Sequence, residues 1–175
     1  MTGAFEPRGA PLGALVLASL VFVSSLGCAT RTGDRRVEPV RLSSVDPAGD
    51  AVRRASLRLC VEGLSADESD RPGLAQSQYE RAIQIDPTNP WAYLSLARHE
   101  VDNGDPAHAL EYLQQAASLL RAEGALSPGV EPHLLGLRGE ALQASGRSGA
   151  SDLERAARLA PAVWGDGHLA AWELR

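Results

Sequence analysis

The chain has no lysine; all 17 of its basic residues are arginine, set against 22 acidic ones for a net charge of −5. That balance leaves no electrostatic footprint for nucleic acid. Cysteine is nearly absent too, with only Cys28 and Cys60, so no disulfide framework is implied. Cys60 falls among apolar neighbours in a helical stretch, the setting of a buried, inert thiol, with an intermolecular disulfide outside the cytoplasm as the alternative. Familiar catalytic signatures are missing: there is no G-x-S-x-G, no P-loop and no glycine-rich nucleotide fingerprint. The four histidines show no metal-ligand spacing; His99 and Asp102 share a helix face without a third ligand. "DNGD" at Asp102 to Asp105 opens like a calcium loop but lacks the later glutamate, and a helix–helix turn explains it. No set of acid, base and nucleophile stands together, so the expectation is a protein without catalysis, metal or cofactor.

What is present suits one modest folded domain: 175 residues, 44% of them apolar, with a mean hydropathy of −0.15. The one long hydrophobic run is at the N-terminus. Ala10 to Thr30 carries no charge, and "LGALVLASLVFVSSL", Leu12 to Leu26, is its apolar heart. As a helix that heart spans about 22 Å, short of the roughly 30 Å hydrocarbon core. With Arg8 before it and small residues after it, the run reads as a secretory leader.

The run ends in "SSLGCAT", which resembles the lipobox of bacterial lipoproteins over Ser25 to Cys28. Gly27 and Cys28 fit that motif; Ser25 stands where an aliphatic residue is usual, with Leu26 one place late. The resemblance implies a leader over residues 1–27 and acyl chains on Cys28, each buried methylene adding roughly 0.8 kcal/mol of membrane affinity. Ala29 is not the aspartate that retains such proteins in the inner membrane, so the resemblance implies the periplasmic face of the outer membrane. The alternative is a single uncleaved anchor using all 21 uncharged residues. Residues 28–47 follow, polar and broken by Gly33, Pro39 and Pro47, and read as a flexible tether. Within it Arg31, Arg35, Arg36 and Arg41 either touch anionic head groups or are simply solvated.

Residues 48–175 carry a repeat. "YERAIQIDP" from Tyr79 returns as "LQQAASLLR" from Leu113 and "LERAARLAP" from Leu153, at intervals of 34 and 40 residues. Each copy sets a large residue at i and alanine at i+3, as in Tyr79 with Ala82, Leu113 with Ala116, and Leu153 with Ala156. Such a face has a notch where a second helix can approach closely. Helix punctuation agrees. Asp86-Pro87 is a stop, Asn89 and Asp105 are caps, and Pro90 and Pro106 are tolerated at first helical positions. About eight extra residues precede the third copy, within Ala122 to Pro132, and its second helix is short. A first helix is expected over Gly49 to Gly63, followed by a long turn at "SADESDRP". Asp166 is expected to cap a final helix with Leu169 and Trp172 on one face.

The interval and the residues Tyr93, Leu96, Ala97, Ala109, Leu113 and Ala116 resemble the tetratricopeptide repeat, with Glu100 and Arg121 as departures. The resemblance implies an all-α fold: a short right-handed superhelix of about three helix-turn-helix repeats and a C-terminal capping helix. It also implies a concave groove, lined by first helices, that holds a protein or peptide. The implied lining is Trp91, Leu94, Arg98, Val101 and Asp102, then His133, Gly136, Glu140 and Gln143, with Arg58 and Glu62 as weaker candidates. Leu94 and Arg98 stand where the carboxylate-gripping subtype needs lysine and asparagine, which argues against that ligand. Together the two resemblances imply an envelope adaptor, or alternatively an accessory activator of a cell-wall enzyme.

Overall fold

Three helix hairpins follow one another along the chain in a computed structural model that describes residues 35–47 and 50–175. The expected leader, and Cys28 with it, lies outside the described residues. The first hairpin is α1 (Ala51–Glu68) with α2 (Pro72–Ile85), the second α3 (Pro90–Asp102) with α4 (Pro106–Ala122), and the third α5 (Glu131–Ala144) with α6 (Ala150–Leu159). Two short helices close the chain, α7 (Pro161–Trp164) and α8 (Ala171–Leu174), and there is no strand among the described residues. Partners within each hairpin pack most extensively; α2 meets α3, α4 meets α5, and the first helices touch in series, α1 to α3 and α3 to α5. The fold is therefore all-α, with sequentially stacked hairpins as expected. No helix among the described residues is long and apolar enough to cross a membrane.

Local chemistry sets the helix ends. Asp50 accepts from the amides of Val52 and Arg53 at 2.9 and 3.1 Å and starts α1. Asn89 caps α3 through the Trp91 amide at 3.1 Å, and Asp105 caps α4 through the His108 amide at 3.1 Å. The Asn89 amide group also donates to Ser56 Oγ at 2.8 Å, and Ser56 donates to the Ala82 carbonyl at 2.8 Å. That buried relay ties α1 to the α2–α3 corner. The notch pattern is realised as well: Tyr79, Ala75 and Ala82 are each fully buried, and a Cβ on Gly63 would lie 2.4 Å from the Tyr79 ring. Each fully buried leucine contributes roughly 2 kcal/mol; Leu64, Leu94, Leu120 and Leu137 are among them.

Three expectations need correction. First, α1 does not stop at Gly63 but runs on to Glu68, burying Leu64 and Ala66. The reversal into α2 is then compressed, with Asp70 in the left-handed region at φ 54°. Second, Asp166 caps no helix; its carboxylate accepts from the His168 amide at 3.1 Å within a turn. Leu169 is fully buried while Trp172 is 54% exposed, so the two do not share a face. Third, part of the expected tether is docked. Leu42 is only 2% exposed and joins the core, and residues 42–44 form a single 3-10 turn. The insertion before α5 is ordered through an Ala125 amide bond to the Leu120 carbonyl at 2.8 Å and the burial of Val130.

Candidate functional site

The series of first helices, α1, α3 and α5, makes the inner face of the array. The segment from Val37 to Ser43 runs as a strap past the end of α6, the loop before α5 and the C-terminal residue, with its 3-10 turn against α1. The Val37 amide donates to the Leu159 carbonyl at 2.9 Å, the Val40 amide to the Gly129 carbonyl at 3.1 Å, and the Ser43 amide to the Arg175 carbonyl at 2.9 Å. Arg41 is extended, with φ −110° and ψ 138°. From α5, His133 Nε2 meets the Val40 carbonyl at 3.0 Å. A carbonyl can only accept, so Nε2 carries the proton and Nδ1 is bare. Burial pushes the His133 imidazole down to about 4 against the smaller opposing effect of that bond, which keeps it neutral near pH 7.

Beside the strap, one carboxylate organises the ends of α1 and α3. Asp67 accepts from Tyr79 Oη at 2.8 Å and from the Arg98 guanidinium at 2.5 Å, and pairs with His99 Nδ1 at 2.9 Å. Burial alone would raise the Asp67 carboxyl. The His99 bond, the Arg98 charge and the Tyr79 hydroxyl together hold it below the ordinary carboxylate range. Arg98 also donates to Asp102 at 2.8 Å and to the Leu169 carbonyl at 3.4 Å, which closes the C-terminal segment over it. Further along, His168 Nδ1 meets Glu140 Oε1 at 2.9 Å. Burial raises the Glu140 carboxyl, with the His168 bond acting the other way. A cleft of about 490 Å³ opens here between Asp67, Glu68, Arg98, Asp102, His168 and Trp172.

The residues expected to line an open groove therefore divide. Trp91, Leu94, Arg98 and His133 are interior, none more than 7% exposed. Gly136 lies beneath the Trp164 ring, with a Cβ there falling 2.3 Å from it. Val101 and Glu140 are half-buried, while Asp102, Gln143, Arg58 and Glu62 are exposed. Around these residues the strap meets His133, the C-terminal segment reaches Arg98 through the Leu169 carbonyl, and Trp164 covers Gly136. Asp67 falls in the stretch expected to be a turn, and it belongs to α1 instead. Its signal was there: Leu57, Cys60, Leu64 and Asp67 continue one helical face at intervals of three and four. For the strap the signal was the run "VEPVRL", whose valines and leucine interrupt an otherwise polar stretch.

Among the described residues the one cysteine is not an activated nucleophile. Cys60 is fully buried and its thiol is pushed up by burial to about 12. Among the described residues no three His, Cys, Asp or Glu side chains could hold a metal ion.

The tetratricopeptide repeat family matches residues 68–123, from the last residue of α1 through α2, α3 and α4. No curated protein and no solved structure matches the chain. Repeats of this kind serve protein–protein interaction and are generally not catalytic, and over this stretch the hairpins and caps have the stacked arrangement they require.

Proposed function

We propose that this chain is a lipid-anchored adaptor on the periplasmic face of the outer membrane, without catalysis. It holds a segment of a partner protein on the inner helical face and so scaffolds an envelope assembly. The observation that carries the reading is the occupancy of that face. α5 and its flanking loop already hold an extended backbone, through His133 and the Gly129 carbonyl. A surface that pairs with main chain in this way can serve a peptide of another protein. The placement in the envelope rests on the likeness of "SSLGCAT" to a lipobox, with Cys28 as the acylated residue. Labelled palmitate is expected to enter the wild type and not Cys28→Ala; equal labelling of the two sinks the anchor. Crosslinking in membranes with mass spectrometry reads the partner: secretion or pilus components support the adaptor, and cell-wall enzymes would redirect it.

A further inference from the structure

We infer that the strap Val37–Ser43 is a displaceable ligand held in cis, and that the partner of the inner face is an extended peptide of the same pattern, valine-x-proline-valine-x-leucine. This rests on the adaptor reading above and names its partner chemistry and its control.

Four features of the strap are also those of a docked peptide. Its ladder is main chain to main chain at Val37, Val40 and Ser43, and its acceptors, the Leu159, Gly129 and Arg175 carbonyls, lie at the ends or outside of helices. Its one deeply buried side chain, Leu42, acts as an anchor at 2% exposure. Pro39 sits between the bonded amides of Val37 and Val40, where the lack of an N–H costs nothing and an extended backbone is favoured. Gly129 is shaped to the guest: a Cβ there would lie 2.6 Å from the Glu38 carbonyl oxygen and 3.1 Å from Val40. The receptor side brings His133, whose neutral imidazole donates to the guest carbonyl at Val40.

A tethered segment competes at an effective concentration on the order of mM. A free peptide of equal intrinsic affinity at about 10 μM is then outcompeted roughly a hundredfold. The wild type is closed to such a partner until the strap lets go, and the strap thereby sets when the face is available.

The test uses full-length protein in detergent and a fluorescent peptide with the sequence of residues 35–47, beside a scrambled control. Leu42→Asp removes the anchor from the cis strap, and Val37→Pro deletes one ladder bond without entering the core. The native peptide is expected to bind Leu42→Asp at least tenfold more tightly than the wild type, and Val37→Pro to an intermediate degree, with the scrambled peptide binding neither. Equal binding to wild type and both variants overturns the inference. So does no binding to variants that keep wild-type helicity, and so does a native-mass dimer of the wild type that exchanges straps, which would assign the guest to a second copy. Should Leu42→Asp fail to fold, Val37→Pro decides alone. A partner crosslinked in membranes to the outward helices α2 or α4 would leave the adaptor standing while this inference falls.

Discussion

Replacing Asp67 with asparagine asks whether one carboxylate, beyond helix stacking, clamps α1 to α3. The side chain is 9% exposed and serves three partners, and the arginine it neutralises is 2% exposed. Asparagine keeps the shape and one acceptor oxygen but leaves Arg98 with less countercharge. Removing one partner of a buried pair costs about 3–5 kcal/mol. Arg98 retains Asp102 at 2.8 Å, itself 34% exposed, so the lower figure applies. At roughly 3 °C per kcal/mol for a domain of this size, the midpoint of thermal unfolding by circular dichroism should fall by about 9 °C. Asp67→Asn combined with Arg98→Met should recover part of that loss, because no buried charge is then left unpaired. The pH dependence has a definite sign. The folded-state carboxyl lies below its unfolded value, so its contribution is complete above about pH 4 and disappears as pH falls through the folded value. The two proteins should therefore differ at neutral pH and converge in acid. A neutral-pH difference under about 2 °C, or a double variant worse than the single, would show that Asp67 is not the clamp.

Gly136→Ala should destabilise despite a gain in helix propensity of about 1 kcal/mol, because the new methyl enters the ring of fully buried Trp164 at an overpacking cost of about 1–3 kcal/mol; urea titration followed by indole fluorescence reads the sign. In a Cys28→Ser background, Cys60 should react with Ellman's reagent only as fast as the protein unfolds, since its thiol is fully buried and pushed up to about 12. Asn89→Ala loses the α3 cap and the donor to Ser56 Oγ, which keeps its bond to the Ala82 carbonyl, so unfolding in urea should show a loss of about 1–2 kcal/mol. His133 contributes stability that is complete above its unfolded value of about 6.5 and is lost as pH falls toward about 4; the melting temperature of the wild type should fall across that window, and that of His133→Gln should fall less.

What was legible in the sequence is what local chemistry decides. Asp86-Pro87 stops α2, Asn89 and Asp105 begin α3 and α4, and alanines at 75 and 82 make room around Tyr79. Each of these needs only neighbours within a turn or two. The site was illegible because its covering comes from far along the chain. Arg98 is closed by Leu169, 71 residues away, and His133 by Val40, 93 residues away. On the α3 surface Arg98 reads as a groove residue, and only the presence of Asp67 and Leu169 around it makes it a buried one. Likewise Pro39 and Pro47 mark a linker by composition, yet proline suits an extended ligand lying on a helical face as well as a free tether.

Helical arrays need their terminal repeats covered, usually by a polar-faced helix stacked on the last pair. Here the last pair is the weakest, since α6 has 10 residues against 17 for α4, and α8 has only 4. The covering is done by the strap and the C-terminal residue instead. The strap meets the C-terminus through Ser43 and Arg175, and the Arg175 guanidinium reaches Glu68 at the end of α1 at 3.0 Å. First hairpin, last residue and strap are thus joined in one place. Closure of this kind couples stability to occupancy. A guest that takes the inner face must replace the bonds of the strap, including the burial of Leu42, or the third hairpin loses its cover. On the inference above, that requirement would favour guests that resemble the strap, and selectivity and stability would then be set by the same residues.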